Sequence, residues 1–303
     1  MPLHGLIAAV HSPFDTSGNL APNVVDQQLQ LLLSHGVSGV FVCGSTGESH
    51  SLSLDERILL AERWAAAVRG TPMKLILHVG SNCLRDAQSL ARHAASLNAA
   101  AIAAQAPSYF RPKSTSDLTD WCHAIANSAP ETPFYFYDIP SMTGVQLSMP
   151  DLLDLAAAHI PNFAGLKFTN PDLMSFQLCQ RAHNGRFDIA FGIDEMLLAA
   201  AVLGARGAVG SSYNFAAPIY LQLLKHLADG NLDQAREQQF RSVLLIRLLA
   251  SIGYMPAARE VMGMLGAPVG PPRQPNSTLD HTARKKLQDG LEQLGFFDWI
   301  HHR

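Results

Sequence analysis

Eight short apolar runs, each followed by a loop and a longer stretch with helical spacing, dominate this sequence. They occupy residues 5–13, 38–44, 73–80, 99–107, 133–140, 163–169, 187–194 and 206–212. In the stretches between them, apolar residues recur three and four positions apart, as in 24–36, 55–70 and 84–98. Near-continuous apolar strands that alternate with helices are typical of a parallel sheet covered on both faces. Eight such units predict the α/β class, and within it a closed (β/α)8 TIM barrel.

An open, doubly wound sheet is the alternative arrangement of these units, but no GxGxxG motif follows the first run to support it. After residue 218 the strand signal stops, and helical patterns follow at 219–230, 232–253 and 257–266. We therefore predict a barrel over residues 1–217 and a C-terminal helical extension, packed on the barrel, over residues 218–303. The Pro-rich segment 266–275 is interpreted as a connector within the extension.

The composition fits a large buried core and argues against two classes of partner. Of the 303 residues, 48% are hydrophobic and 16% are charged, and the formal net charge is −3. A chain this apolar is not disordered. Its slightly negative charge argues against nucleic acid or an acidic membrane surface as a partner. In addition, no run reaches the roughly 18 uninterrupted apolar residues that a membrane span needs.

The cysteines and histidines favour a cytoplasmic protein that holds no metal. The cysteines form no CxxC pair and are widely spaced, which is typical of reduced thiols: Cys43, Cys83, Cys122 and Cys179. The N-terminal apolar run is short and follows no basic segment, so no signal peptide is predicted. The histidines show no HxH or HxxxH spacing, so no metal site is predicted. A reaction that activates a substrate carbonyl group would then use an amino-acid side chain rather than a metal ion.

Lys167 falls inside an apolar run, in FAGLKFT (163–169). Alternation along a strand places Lys167 and Thr169 on one face and Leu166 and Phe168 on the other. Leu166 and Phe168 suit the helix layer, so Lys167 is expected to face the barrel interior. Burial there lowers the pKa of an ammonium toward neutrality, and a neutral amine can attack a ketone. The alternative is a lysine that reaches out of the strand end to solvent.

Tyr137 lies in the fifth run, in FYFYDIP, at a strand end just before Asp-Ile-Pro, which is the edge where barrels carry their active sites. A tyrosine at a strand end can move a proton to or from a bound intermediate. The alternative is an aromatic residue of the core.

The second run is followed by GSTGE (44–48), in which two glycines flank Ser45 and Thr46. Such a loop can turn tightly and direct several N–H groups, at the start of the next helix, toward a carboxylate or phosphate. It lacks the lysine and the length of a P-loop, so a nucleotide is not predicted. The alternative is an ordinary loop and helix cap.

The seventh and eighth runs end in polar residues that suit a hydroxylated ligand. Gly192 and Ile193 lead into Asp194 and Glu195, whose carboxylates can accept hydrogen bonds from hydroxyl groups. Alternatively, these two acidic residues only cap the next helix and interact with its dipole. The eighth run ends at Gly210, Ser211 and Ser212, where small hydroxyl residues leave room for a ligand.

Three motifs in this order carry a family resemblance. GSTGE (44–48), YDIP (137–140) and GLKFT (165–169) resemble the N-acetylneuraminate lyase and dihydrodipicolinate synthase family of pyruvate-dependent class I aldolases. The resemblance extends over nearly the whole chain, through GPPRQP (270–275). Segments 133–145, 191–214 and 261–273 are more similar to the lyase branch than to the synthase branch.

The resemblance implies an activity and roles for the site residues. The expected reaction is the reversible cleavage of N-acetylneuraminate to N-acetylmannosamine and pyruvate, through a Schiff base on Lys167 and without a metal or other cofactor. Tyr137 is expected to move the proton, and Ser45 and Thr46 to bind the pyruvate carboxylate. Tyr109 matches a tyrosine that relatives place across a dimer interface into the neighbouring site. Positions that contact the sugar portion are matched by Thr169, Gly192, Asp194, Glu195 and Ser211. The implied assembly is a homotetramer, a dimer of dimers.

One departure separates the two branches, because Met142 stands where the synthases usually carry an arginine for a second carboxylate. Asp138 also replaces a residue that is commonly Asn or His. Two other aldolase activities stay open, namely cleavage of another 2-keto-3-deoxy sugar acid and a synthase-type condensation. A non-catalytic keto-acid-binding regulator is a further alternative, but it predicts loss of Lys167 or Tyr137, and both are present.

Overall fold

A computed structural model of the chain describes residues 2–301. Eight parallel strands close into a barrel in chain order, with β1 paired to both β2 and β8. The strands are β1 Gly5–Ala9, β2 Gly39–Val42, β3 Lys74–His78, β4 Ala101–Gln105, β5 Phe134–Asp138, β6 Phe163–Phe168, β7 Asp188–Phe191 and β8 Gly207–Gly210. Each predicted apolar run contains one of these strands, so the barrel prediction is confirmed.

Helices follow every strand and continue beyond the barrel. The α-helices are α1 Val25–Ser34, α2 Leu54–Val68, α3 Leu84–Ser96, α4 Thr115–Ala126, α5 Pro140–Thr143, α6 Met149–His159, α7 Leu173–Arg181, α8 Leu197–Val202, α9 Tyr213–Ala228, α10 Leu232–Ile252, α11 Tyr254–Met264, α12 His281–Leu294 and α13 Phe296–His301. Short 3-10 turns occupy Pro22–Val24, Ser49–Ser51, Ala182–Gly185 and Asp194–Met196. The Pro-rich segment joins α11 to α12 and forms neither helix nor strand, as predicted.

Two cores explain why the strands are apolar on both faces. An outer core lies between the sheet and the helices and contains Leu166 and Phe168 of β6. An inner core fills the barrel and contains Tyr135 and Tyr137 of β5. Because side chains alternate along a strand, Lys167 between Leu166 and Phe168 faces the barrel interior. This is the orientation that the alternation predicts.

The C-terminal helices pack on the barrel and on one another. The predicted boundary between residues 217 and 218 falls inside α9, which begins at Tyr213 and leaves helical geometry at Ala216 (φ −126°). Helix α10 packs against α9, α11 and α12. The division into a barrel and an extension remains a prediction, and its terminal residues 1, 302 and 303 lie outside the described residues.

The helices and the potential metal-binding side chains of residues 2–301 bear on membranes and metals. No single helix there has the length and apolar character to cross a membrane, although α10 and α11, bent by 114°, meet the length and composition criteria as a pair. Within the same residues, no group of three or more His, Cys, Asp or Glu side chains is arranged to hold a metal ion.

Candidate active site

Lys167 lies at the C-terminal end of β6, inside the barrel. Lys167 is 3% exposed, and its Nζ lies 4.0 Å from the centroid of the Phe41 ring and 3.9 Å from the centroid of the Tyr137 ring. This burial lowers the pKa of the amine to about 7, and the negative charge of Asp194 opposes part of the fall. A large fraction of the amine is therefore uncharged at neutral pH. The alternative of a lysine that reaches solvent is wrong.

Tyr137 lies beside Lys167 on the neighbouring strand, because the register of β5 and β6 pairs the two residues. Its hydroxyl lies 3.4 Å from Oγ of Ser45. Burial raises the pKa of Tyr137 to about 12, so the resting side chain is a neutral phenol. Lys167, Tyr137 and Ser45, which the sequence analysis singled out separately, therefore form one cluster.

Phe41 and His78 complete the wall of this cluster, and the sequence analysis did not single them out. The ring of Tyr137 lies edge-on to Phe41, at 5.7 Å, and to His78, at 6.0 Å. His78 Nδ1 lies 2.7 Å from the Cys43 carbonyl, which can only accept, so Nδ1 carries the proton. Burial lowers the pKa of His78, and the ring is neutral. Alternation along β2 and β3 was a signal that could have placed both residues inside the barrel.

The GSTGE loop turns sharply after β2 and leaves Ser45 and Thr46 half-buried. Cys43 (φ 57°), directly before the loop, and Glu48 (φ 51°), its last residue, are in the left-handed region that non-glycine residues seldom adopt. A Cβ at Gly44 would lie 2.7 Å from the Phe41 ring, so glycine is required there. The loop continues into the 3-10 turn Ser49–Ser51 rather than directly into α2, so the expected position at the start of a helix is wrong.

A buried ion pair ties the loop to the C-terminal helices. Arg259 of α11 donates to Oε1 of Glu48 at 2.9 Å, and these side chains are 1% and 2% exposed. Arg259 also donates to the carbonyls of Ser12 and Gly270, and the N–H of Arg273 donates to Oε2 of Glu48. Breaking a buried pair by removing one partner costs about 3–5 kcal/mol. The extension therefore holds one end of the loop in place.

Thr169 and Gly192 lie side by side after β6 and β7. The N–H of Gly192 donates to the carbonyl of Phe168 at 2.8 Å. A Cβ at position 192 would lie 1.9 Å from Oγ1 of Thr169, so a larger residue would displace the threonine. The structure thus places these two predicted residues together.

Asp194 is buried (5% exposed), whereas Glu195 is exposed. Oδ2 of Asp194 accepts hydrogen bonds from the N–H of Ser212 at 2.9 Å and from its Oγ at 2.5 Å. The Asp194 side chain does not cap the 3-10 turn that it begins, and it accepts instead from Ser212, which directly precedes α9. Burial raises its pKa to about 6, and the two hydrogen bonds from Ser212 oppose the rise.

The remaining predicted residues lie at the mouth of the barrel or outside it. Oγ of Ser211 lies 2.6 Å from the hydroxyl of Tyr254, at the start of α11. Tyr109 is 80% exposed, and its ring contacts Phe110 at 5.0 Å between centroids. A cavity of about 280 Å³ opens beside the loop, and its lining includes Ser45, His50, Gln105, Ser108, Met142 and Met255.

A model of the dihydrodipicolinate synthetase family matches residues 2–294. The chain belongs to this family. The resemblance inferred from three short motifs is thereby confirmed for nearly the full length of the sequence.

Three similar members of the dihydrodipicolinate synthetase family are N-acetylneuraminate lyases. The N-acetylneuraminate lyase of Rattus norvegicus is 37% identical over 98% of this chain and 94% of its own. The structure of the Proteus mirabilis N-acetylneuraminate lyase has a TM-score of 0.95 at 37% identity, covering 98% of this chain and 100% of that one. The N-acetylneuraminate lyase (sialic acid aldolase) of Aliivibrio salmonicida has a TM-score of 0.95 at 38% identity, covering 98% of both.

Proposed function

We propose that this protein is a class I aldolase that reversibly cleaves N-acetylneuraminate to N-acetylmannosamine and pyruvate. The observation that carries the proposal is the buried, partly uncharged amine of Lys167 over the ring of Tyr137, beside the GSTGE loop. The relatives that share this fold at 37–38% identity are N-acetylneuraminate lyases.

Formation of the Schiff base uses Lys167 and Tyr137. The lone pair of Lys167 Nζ adds to the ketone carbon C2 of the open-chain sugar acid, giving a carbinolamine. Its hydroxyl leaves as water with the proton of Tyr137, which leaves an iminium and a phenolate. The positive iminium next to the ring stabilises the phenolate, because an opposite charge lowers the pKa of the phenol.

Cleavage then returns the proton. The phenolate takes the proton of the C4 hydroxyl, the C3–C4 bond breaks, and its electron pair neutralises the iminium as an enamine. N-acetylmannosamine leaves as the aldehyde. Tyr137 next protonates C3 of the enamine and recovers its proton from the water that adds to C2. Hydrolysis releases pyruvate and restores the amine of Lys167, so one water leaves and one enters.

The other candidate residues bind the substrate in this proposal. Ser45 and Thr46 hold the carboxylate of the keto acid through the hydroxyls and N–H groups of the turn. Asp194 accepts a hydrogen bond from a sugar hydroxyl. The remaining sugar contacts are assigned to Thr169, Gly192, Glu195 and Ser211.

Turnover of defined sugar acids tests the substrate. With coupled detection of pyruvate, we expect kcat/KM for N-acetylneuraminate to exceed that for 2-keto-3-deoxygluconate by at least about tenfold, a ratio that a few hydroxyl contacts supply. Condensation of pyruvate with aspartate semialdehyde is expected to be undetectable, because Met142 provides no cation for a second carboxylate. Faster turnover of 2-keto-3-deoxygluconate, or synthase activity, would assign the chain to another member of the aldolase class.

We further propose a homotetramer, a dimer of dimers, in which Tyr109 reaches the site of a second copy. The exposed, adjacent rings of Tyr109 and Phe110 support this contact, since exposed aromatic pairs are enriched in interfaces. Co-expression of Lys167→Ala and Tyr109→Ala chains is then expected to restore activity that neither variant has alone, because mixed dimers contain one intact site. As a control, Lys167→Ala co-expressed with the Lys167→Ala/Tyr109→Ala double variant should stay inactive. Absence of restoration in a mixed oligomer would contradict the shared site.

A cytoplasmic location is also proposed. All four cysteines are free thiols, three of them buried, which is typical of a reducing compartment.

A further inference from the structure

A chain of buried hydroxyl groups leads from the C-terminal extension to the carboxylate of Asp194. Oγ of Ser212 donates to Oδ2 of Asp194 at 2.5 Å and lies 2.6 Å from the hydroxyl of Tyr220. The Tyr220 hydroxyl lies 2.8 Å from Oγ of Ser242 on α10. Ser212, Tyr220 and Ser242 are fully buried, so water does not compete for these bonds. None of the three belongs to the predicted site.

Counting hydrogens fixes the direction of this chain. A charged carboxylate can only accept, so the single hydroxyl hydrogen of Ser212 points to Asp194. Tyr220 must then donate to Ser212, and Ser242 must donate to Tyr220. All three O–H dipoles therefore point toward Asp194, and aligned hydrogen bonds strengthen one another. This alignment favours the ionised form of the carboxylate.

The two oxygens of Asp194 differ in what they contact. Oδ2 takes both hydrogen bonds from Ser212, whereas Oδ1 has no hydrogen-bond partner among residues 2–301. Oδ1 packs against Gly210, where a Cβ would lie 1.7 Å away, so the carboxylate occupies space that only glycine leaves. Oδ2 is thus fixed by Ser212, whereas Oδ1 is enclosed by the protein, and the Tyr213 hydroxyl also interacts with this carboxylate.

We propose that Tyr220 and Ser242 are positioning residues that keep Asp194 ionised and oriented, as the charged neighbour of Lys167 and an acceptor for a substrate hydroxyl. This inference rests on the proposed function. It makes the C-terminal extension part of the catalytic apparatus, because Ser242 belongs to α10 and reaches the site only through Tyr220 of α9.

The charges around Asp194 determine what loss of the chain should do. The titratable groups that face it are Lys167 of β6, Tyr137 of β5, Tyr213 and Tyr220 of α9, Tyr254 of α11 and the adjacent Glu195. Burial and Glu195 favour the neutral acid, while Ser212 and Lys167 favour the carboxylate. Weakening the donation from Ser212 therefore raises the pKa of Asp194. Lys167 in turn loses part of its anionic neighbour, which lowers the pKa of the amine.

The pH dependence of kcat for the variant Tyr220→Phe tests the inference. When the covalent complex accumulates at saturating sugar acid, Lys167 is an iminium and no longer titrates as an amine, so the acid limb of kcat reports Asp194. We expect this limb to move to higher pH, with kcat falling about three- to tenfold at about pH 6 and changing less than about twofold at about pH 8. Ser242→Ala should shift the acid limb in the same direction by a smaller amount. This variant takes the place of Tyr220→Phe in the test if Tyr220→Phe does not fold.

Tyr135→Phe is the matched control, because it also removes a tyrosine hydroxyl that donates to a carboxylate, Asp188, at 2.9 Å. A purely structural role predicts equal loss of thermal stability and unshifted limbs in both variants. An unshifted limb in Tyr220→Phe and Ser242→Ala, or the same shift in Tyr135→Phe, would overturn the inference.

A second readout, borohydride trapping of pyruvate on Lys167, needs no sugar cleavage. The pH midpoint of the trapping yield should move to a lower value in Tyr220→Phe, because the pKa of the Lys167 amine is lowered. An unchanged midpoint counts against the inference. A wild-type protein that traps pyruvate but cleaves no N-acetylneuraminate would contradict the proposed function, while the trapping midpoint still tests the chain.

Discussion

Replacing Lys167 with alanine or arginine is expected to abolish carbon–carbon bond cleavage, with a loss of at least about ten-thousandfold in kcat. Alanine has no nucleophile. Arginine retains the positive charge but does not lose its proton in proteins, so it cannot attack the ketone. Both substitutions therefore remove the covalent step rather than the binding of the sugar acid.

Pyruvate and borohydride provide the direct measurement for Lys167. The wild-type chain should gain one reduced pyruvate on this residue, identified by mass spectrometry of the peptide. The yield should rise with pH around a midpoint near 7, because the amine reacts and its pKa is lowered to about 7. Lys225→Ala, which changes an exposed lysine paired with Asp229, should keep both the adduct and the activity. Cleavage that persists in Lys167→Ala would eliminate the mechanism.

Replacing Tyr137 with phenylalanine is expected to lower kcat by about a hundred- to ten-thousandfold, the range associated with a lost general acid–base group. The phenylalanine ring still covers the amine of Lys167, so the environment that lowers the pKa of the lysine is kept. Pyruvate trapping should consequently survive, although more slowly, while sugar cleavage does not.

Trapping and turnover, measured on the same preparation, separate two roles of Tyr137. Its ring covers the amine of Lys167, and its hydroxyl moves the proton. Tyr135→Phe is again the matched control, because Tyr135 lies on the same face of β5 two residues earlier and its hydroxyl binds Asp188 instead of facing Lys167. Its turnover at neutral pH should stay near that of the wild type. If Tyr137→Phe retained wild-type kcat, another group would have to move the proton.

Several site residues follow from local sequence alone because a strand alternates its side chains between two faces. Lys167 lies between Leu166 and Phe168, which pack in the outer core, so its direction follows from its neighbours. The same rule places Tyr137 in the barrel, and it would also have placed Phe41 and His78 there. The eight-unit period predicts the barrel for a similar reason, since each strand and helix has its own apolar pattern.

The sequence by itself therefore determined the barrel, the inward lysine and tyrosine, and the family. Only the tertiary structure decided the partners of the buried polar groups: Arg259 for Glu48, and Ser212, Tyr220 and Ser242 for Asp194. These partners come from different strands and helices, and Arg259 lies 211 positions from Glu48. Such contacts exist only after the barrel has closed and the C-terminal helices have packed on it. Apolar periodicity records which face of an element is buried, but not which distant donor meets a given carboxylate.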